Sequence, residues 1–183
     1  MAVRKGLVVV YTGNGKGKTS AALGAAVRTL GHGGRVLIIQ FFKGDWPVVY
    51  GELELAQRLH PQLEVLQLGR GFVKIMGDKK PFAEHVSAAE SAVRIARERM
   101  QSGTYDLVIL DEVIYALGYM DFKLIELADV LALIKEKPPK THLILTGRNA
   151  PPEIVEAADL VTEMKEIKHP MGRGIPAQLG LDF

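Results

Sequence analysis

The sequence contains no cysteine, no marked excess of either charge and no long apolar run. Without cysteine it has no disulfide bonds, thiolate zinc sites or cysteine nucleophile, and a reducing cytoplasm is the expected location. Its 23 lysines and arginines against 21 acidic residues give a net charge of +2, so we expect no nucleic-acid partner. The first apolar run stops at Tyr11, too short for a signal peptide or a membrane span, so we expect no membrane association.

Two common catalytic arrangements are also missing. The five histidines show no ligand spacing such as H-x-x-x-H, and no serine lies in a G-x-S-x-G elbow. Each histidine is therefore expected at the surface or in a hydrogen bond. A histidine metal centre and an acyl-transfer triad are not expected.

The 183 residues suit one compact α/β domain spanning residues 1–183. Short runs rich in Val, Ile and Leu predict buried strands at residues 7–11, 36–42, 63–68, 107–110, 142–146 and 160–162. Helical periodicity between them is clearest at residues 81–100 and 123–137. This alternation predicts a mostly parallel sheet of about six strands with right-handed crossovers. Irregular loops are expected at residues 43–51 and 69–80, near the carboxyl ends of strands, where ligands bind in such folds.

The segment TGNGKGKT, residues 12–19, predicts a phosphate-binding loop between a strand and a helix. Its glycines let backbone N–H groups turn inward around an anion, and the helix that follows directs its positive dipole end at the same point. Lys18 supplies a charge to phosphate oxygens, and the Thr19 hydroxyl is placed to reach Mg²⁺. The predicted ATP-binding residues are Thr12, Gly13, Asn14, Gly15, Lys16, Gly17, Lys18, Thr19 and Ser20.

The residues of this loop disfavour two other interpretations. A ligand-free glycine turn does not explain two lysines among three glycines. A dinucleotide-binding fingerprint begins with Gly13-x-Gly15, but Lys18 occupies its next glycine position. The loop departs from the strict phosphate-loop pattern only at Thr12, which stands in the first glycine position.

A second motif, YDLVILDE at residues 105–112, is an apolar strand that ends in two carboxylates. This is typical of a Walker B strand, whose acid holds Mg²⁺ directly or through water. Asp111 could instead cap the next helix, although a nearby phosphate loop favours the metal. Glu112 could be a metal ligand or the base that activates water, and the pattern leaves both roles open.

Three further positions could contact a ligand. Arg148 follows the strand at 142–146 and is expected at the rim of the phosphate loop, where a phosphate contact is favoured over a plain surface charge. Trp46 and Phe72 lie in the irregular loops and could stack on a flat ligand. Phe41 and Phe42 end a strand, so core packing is expected for at least one of them.

Seven spaced blocks together resemble the P-loop corrinoid adenosyltransferases over nearly the whole chain. The blocks are Thr12–Thr19; Gln40-Phe41 with Lys43-Gly44 and Trp46-Pro47; Gly51-Glu52; Gly69 with Gly71-Phe72; Val108–Glu112; Thr146-Gly147-Arg148; and a tail with Lys168-His169, Gly174, Ala177-Gln178, Gly180 and Asp182-Phe183.

The resemblance implies a RecA-like three-layer sandwich that transfers the 5′-deoxyadenosyl group of ATP to Co(I) of a reduced corrinoid and releases triphosphate. It implies that Lys18 and Glu112 are the catalytic residues, with Thr19, Glu112 and Asp111 on Mg²⁺ or Mn²⁺. Co(I) is itself a strong nucleophile, so no nucleophilic side chain is needed. The rivals are a P-loop ATPase or kinase with Glu112 as base, and a non-catalytic module that binds corrinoid or nucleotide.

The resemblance also implies a corrinoid side of the site and partners. Phe72 matches a corrin-facing aromatic residue, Trp46 is a second candidate contact, and Lys74 stands where another aromatic residue is common. Some members fold an N-terminal helix over the corrinoid, and this sequence, which begins almost at its first predicted strand, is expected to lack it. A reduced flavoprotein as electron donor and a homodimer are expected.

Overall fold

Six strands form one sheet in the computed structural model, which describes residues 5–45, 48–73, 77–118 and 122–183. The strands are β1 Val8–Thr12, β2 Val36–Gln40, β3 Leu63–Gln67, β4 Leu107–Asp111, β5 His142–Thr146 and β6 Leu160–Glu163. They lie in the order β3-β2-β4-β5-β1-β6, and every neighbouring pair is parallel. The predicted parallel sheet of about six strands is confirmed.

Helices cover both faces of the sheet. They are α1 Lys18–Gly31, α2 Gly51–Leu59, α3 Phe82–Gln101, α4 Val113–Ala116, α5 Leu127–Glu136 and α6 Pro152–Ala157, followed by a 3₁₀ turn at Pro170–Arg173. One core packs Ala22 and Ala26 of α1 on the sheet, and the other packs α3 and α5 on the opposite face. This arrangement confirms the predicted three layers. Within the described ranges, no helix is long and apolar enough to cross a membrane.

The central strands are apolar at almost every position because both of their faces are covered. All five residues of β2 and all five of β4 are buried. The polar exceptions stand at the carboxyl ends, where Gln40 closes β2 and Asp111 closes β4. Since burying a carboxylate is costly without partners, these two residues mark the place where a site is built.

Element boundaries differ from the prediction where tertiary contacts intervene. Helix α5 begins at Leu127 and not at Lys123, because the N–H groups of Leu124 and Ile125 donate to the carbonyl of Ala116 at 2.9 and 3.3 Å. Strand β2 ends at Gln40, two residues earlier than predicted. The next two residues, Phe41 and Phe42, leave the strand but stay buried, as core packing requires.

Candidate active site

A cavity of about 870 Å³ surrounds the phosphate loop at the carboxyl ends of the strands. Its lining comes from loop residues 14–20, from Lys43 and residues 50–52, from Glu112 and Arg148, and from parts of the segment 166–183. A cavity of this volume is within the range of small-molecule sites. Seven of the nine predicted ATP-binding positions from Thr12 to Ser20 line it directly, together with Arg148.

The loop has the predicted strand, turn and helix order. Gly13 and Gly17 have φ values of 96° and 114°, a region that favours glycine. A Cβ on Gly13 would also lie 2.5 Å from the carbonyl oxygen of Met164. Thr12, the departure from the strict pattern, ends β1 and accepts a hydrogen bond from the N–H of Ala150 at 3.1 Å through its hydroxyl. Threonine therefore ties the base of the loop to the segment after β5.

Lys18 lies buried inside the loop. Its Nζ donates to the carbonyl oxygens of Gly13 and Gly15 at 2.8 and 2.9 Å. Burial lowers the pKa of Lys18. The charge of Glu112 partly offsets this shift, and the charge of Arg148 adds to it. The ammonium is thus held within the loop by weak carbonyl acceptors, from which an anionic phosphate can draw it.

Asp111 is the centre of a buried hydrogen-bond network. Its Oδ1 accepts from the hydroxyls of Thr19 and Thr146, both at 2.8 Å. Its Oδ2 lies 3.6 Å from Lys43 Nζ and 3.5 Å from the Nε2 of Gln40. The carboxylate therefore joins the phosphate loop to the ends of three strands. The alternative in which Asp111 caps the next helix is not supported, because its oxygens point to these side chains.

Glu112 occupies the N-cap position of α4 in a left-handed conformation with φ 63°. Its backbone N–H donates to the Thr146 hydroxyl at 2.8 Å. The side chain lines the cavity, and burial followed by the neighbouring charge of Asp111 raises its pKa to about 7. Any cation that enters the cavity stabilises the ionised form of a carboxylate held this way.

Replacing Glu112 with glutamine is expected to stabilise the fold at alkaline pH. Because its folded-state pKa of about 7 exceeds the ordinary value of 4.5, ionisation costs stability as pH rises between these values. The full cost above the folded-state pKa is ~3 kcal/mol, since one pKa unit corresponds to ~1.4 kcal/mol. Urea unfolding near neutral-to-alkaline pH should reveal the gain, which should shrink towards pH ~4.5. A gain of equal size at both ends of this range would contradict the assignment. Glu153→Gln, at an exposed position of α6, controls for the loss of one charge.

Lys43 is a site residue to which the sequence assigned no role. Its Nζ lies 3.2 Å from Glu52 Oε1 and 4.3 Å from the ring centroid of Tyr50, which places it between α2 and Asp111. Burial alone would lower the pKa of Lys43, but Asp111 and Glu52 raise it above the usual value. Gln40 is the sequence feature that could have indicated this group of side chains, because it is a polar residue at the end of an apolar strand. Its Nε2 donates to Glu52 at 2.8 Å.

Arg148 lies at the predicted rim. Its Nη1 is 3.5 Å from the Oδ1 of Asn14 in the phosphate loop, and both residues line the cavity. A guanidinium at this distance can reach the same anion as the loop. Gly147 before it has φ 147°, and a Cβ there would lie 2.6 Å from the backbone nitrogen of Tyr115, so the turn that aims Arg148 requires glycine.

Phe72 lies in an aromatic cluster and is not part of the cavity lining. Its ring stacks on Phe42 at 5.7 Å between centroids and meets Tyr115 edge-on at 6.2 Å. It is half-buried against the core. Trp46 and Lys74, the other positions discussed for the corrinoid side, lie outside the described residues.

The oxygen donors at the cavity suit a magnesium ion that arrives with phosphates. The described ranges contain no group of three or more His, Cys, Asp or Glu side chains able to hold a metal unaided. However, Thr19, Asp111 and Glu112 bring a hydroxyl and two carboxylates to the edge of the phosphate loop. Mg²⁺ prefers oxygen ligands and is commonly held by one or two carboxylates plus substrate phosphates. The residues therefore fit this ion.

Residues 4–183 match a family model described as ATP:corrinoid adenosyltransferase BtuR/CobO/CobP. Three curated relatives named corrinoid adenosyltransferase are 42% identical in a Sinorhizobium species, 39% in Pseudomonas aeruginosa and 35% in Escherichia coli K12. The alignments cover 98% of this chain in each case, and 81%, 84% and 86% of the respective relatives. The region matched by the family model thus spans all residues that line the cavity.

Two solved structures support the fold at low sequence identity. A KaiC-like protein from Pyrococcus horikoshii OT3 superposes with a TM-score of 0.56 at 14% identity, covering 90% of this chain and 75% of that one. The RadB recombinase gives a TM-score of 0.53 at 14% identity, covering 91% and 78%. At this identity the likeness speaks for the fold alone, and it confirms the predicted RecA-like arrangement.

Proposed function

The chain belongs to the ATP:corrinoid adenosyltransferase family, and we propose that the cavity at its phosphate loop is the site of that reaction. The protein is an ATP:corrinoid adenosyltransferase, with ATP and a reduced corrinoid as its substrates. The observation that supports the placement best is the hydrogen bond between Thr19 and Asp111, because it joins the two nucleotide motifs in one cavity. We further propose that residues 1–183 form a single domain for this purpose.

In the reaction the Co(I) electron pair attacks C5′ of ATP, a Co–C bond forms, and the C5′–O bond breaks with its electrons going to triphosphate. The protein must therefore bind and orient a leaving group that gains negative charge. Lys18, the loop N–H groups and Arg148 surround the space for it, supported by Asn14, Lys16 and Ser20 in the cavity wall. Such preorganised donors stabilise the charge that develops in the transition state more strongly than the same groups would in water.

Thr19, Glu112 and Asp111 are proposed to hold Mg²⁺, or Mn²⁺, beside the triphosphate. The ion would supply positive charge to the phosphate oxygens of the leaving group. Asp111 keeps Thr19 and the strand ends in place through its 2.8 Å bonds, and Glu112 presents its carboxylate to the cavity. On this proposal Glu112 is a ligand and not a base.

A P-loop ATPase is the second candidate, and one observation favours it. Burial and Asp111 raise the pKa of Glu112 to about 7, which is also suitable for a general base that activates water. A kinase would use the same base on a hydroxyl. A non-catalytic module that binds corrinoid or nucleotide is the third possibility, opposed by the near full-length match to enzymes.

The corrinoid side is proposed to include Phe72 and Trp46. Phe72 belongs to a cluster with Phe42, Tyr115 and Phe122 in which ring centroids are 5.0–6.2 Å apart. An apolar cluster near a site favours a corrin that has lost its lower axial ligand, because a dry surface offers the cobalt no replacement. Phe72, which is not part of the nucleotide-cavity lining, would then contact the corrin outside that cavity.

The electron donor and the location are proposed from the chemistry of the substrates, and the oligomeric state from the family resemblance. We propose a reduced flavoprotein as electron donor, because Co(I) must be generated before transfer. A cytoplasmic location is proposed because ATP and a reducing environment coincide there. A homodimer is proposed from the family resemblance.

One anaerobic assay separates the three functions. The protein is mixed with ATP, Mg²⁺ and chemically reduced cobalamin, and the corrinoid spectrum and phosphate products are followed together. The transferase is expected to form a light-sensitive Co–C product with an equal amount of triphosphate. ADP and phosphate without alkylated corrinoid would indicate an ATPase, and binding of both substrates without turnover would indicate the module.

A further inference from the structure

The tail segment, residues 164–183, packs against the phosphate loop and forms one wall of its cavity. The N–H of Met164 donates to the carbonyl of Thr12 at 2.8 Å, and its carbonyl accepts from the N–H of Gly15 at 2.7 Å. Farther along, Asp182 and Phe183 reach the cavity. The proposed function uses no residue of this wall.

Asp182 forms an ion pair with Lys16 of the phosphate loop, 166 positions away in the sequence. The other carboxylate oxygen, Oδ2, accepts from the N–H of Gln178 at 2.7 Å, and the Asp182 N–H donates to the Gln178 carbonyl at 2.8 Å. A tight turn thus orients the carboxylate towards the loop. The contact with Lys16, followed by the hydrogen bond from the Gln178 N–H, holds the pKa of Asp182 below its usual range.

Lys16 lies where an anionic ligand must compete for it. Its side chain is 42% exposed and lines the same cavity as Lys18 and Arg148. A half-exposed ion pair is weak and exchanges readily. Triphosphate carries several negative charges and offers Lys16 stronger acceptors than one carboxylate.

We propose that Asp182 is a positioning residue that acts through Lys16, competing with the phosphates for its ammonium and so weakening the hold on triphosphate. When triphosphate departs, the ion pair between Asp182 and Lys16 forms again, which lowers the free energy needed to release triphosphate from the loop. The inference rests on the proposed function only in treating triphosphate as the product. The competition itself concerns any polyphosphate in the cavity.

The test measures binding of inorganic triphosphate by calorimetry. Asp182→Asn keeps an oxygen for the Gln178 N–H but removes the charge, and we expect triphosphate to bind about fivefold more tightly, the upper range for a surface ion pair. Glu136→Gln is the matched control, since Glu136 pairs with Arg97 at 2.8 Å at the end of α5 that precedes β5. It should leave the affinity unchanged.

A double substitution identifies the route of the effect. In a Lys16→Met background, Asp182→Asn should no longer tighten triphosphate binding, because the competed cation is gone. Tightening of the same size in that background would indicate plain repulsion and overturn the proposal, as would no tightening in the wild-type background. Melting temperatures of all variants establish that the fold is retained.

Turnover gives an independent readout. With Asp182→Asn, the KM for ATP and the inhibition constant of triphosphate should fall by the same factor, whereas damage to the fold would raise the KM. A rise in both constants would overturn the inference. The binding experiment needs no corrinoid, so failure of the transferase assay with tighter triphosphate binding would reject the proposed function and leave the role of Asp182 standing.

Discussion

Lys18→Ala is expected to lower kcat at least a hundredfold, the largest effect of any single change in the phosphate loop. Removing one charged donor from a developing oxyanion commonly costs ~10²–10³ in rate. The fold should survive, because the Lys18 ammonium donates its hydrogen bonds, within the described part of the chain, to the carbonyls of Gly13 and Gly15 in its own loop. Anaerobic turnover with saturating ATP measures the loss, and a thermal melt checks the fold.

Lys137 provides a matched control for this change. Its Nζ also donates to backbone carbonyls, those of Gly6, Pro138 and Thr141 at 2.9–3.2 Å, and burial likewise lowers the pKa of Lys137. It lies at the amino ends of the strands, away from the cavity. Lys137→Ala should cost stability and spare turnover. Unimpaired turnover in Lys18→Ala, or equal loss in both variants, would contradict the role of Lys18.

Asp111→Ala is expected to abolish most turnover and to destabilise the protein. The change leaves the hydroxyls of Thr19 and Thr146 without their acceptor, and it removes one of the two carboxylates that contact part-buried Lys43 among the described residues. Removing one partner of a buried ion pair costs ~3–5 kcal/mol. The denaturation midpoint and the magnesium dependence of turnover measure the two losses.

Two further variants separate charge from hydrogen bonding at this position. Asp111→Asn keeps the Oδ1 acceptor that both hydroxyls use, so it should recover part of the stability while turnover stays low, because the charge beside the proposed metal is lost. Asp106→Asn is the control at the opposite end of β4, where Asp106 accepts from the N–H of Arg35 at 2.9 Å. It should affect stability alone. Near-normal magnesium dependence in Asp111→Asn would contradict the metal role.

Much of the fold follows from local sequence patterns. All six strands appear within two residues of their predicted ends, because continuous apolar runs suit a sheet covered on both faces. The predicted start of α5 was wrong by four residues. The N–H groups of Leu124 and Ile125 bond to the carbonyl of Ala116, and helical periodicity does not predict such a contact. Helix α2 follows the expected alternation of strands and helices between β2 and β3, but its bounds were not predicted.

The candidate site was predictable in part for the same reason. The phosphate loop and the acidic pair are contiguous motifs whose residue types and spacing indicate their chemistry. Lys18, Thr19 and Asp111 were therefore identifiable from the sequence alone. Phe72 was identified from its position in an irregular loop and through the resemblance, and the structure places it in an aromatic cluster beside Phe42 and Tyr115. Its contact with a corrinoid stays a prediction.

The sequence by itself determined the elements that a few neighbouring residues specify: the glycine loop, the apolar strands and the carboxylates at the end of β4. The tertiary structure decided which distant residues meet them. Lys43 and Thr146 meet Asp111, and Asp182 meets the glycine loop, only because the strand order places β2 beside β4, β4 beside β5, and β6 at the edge next to β1. Strand order depends on packing across the whole sheet, and no local spacing encodes it.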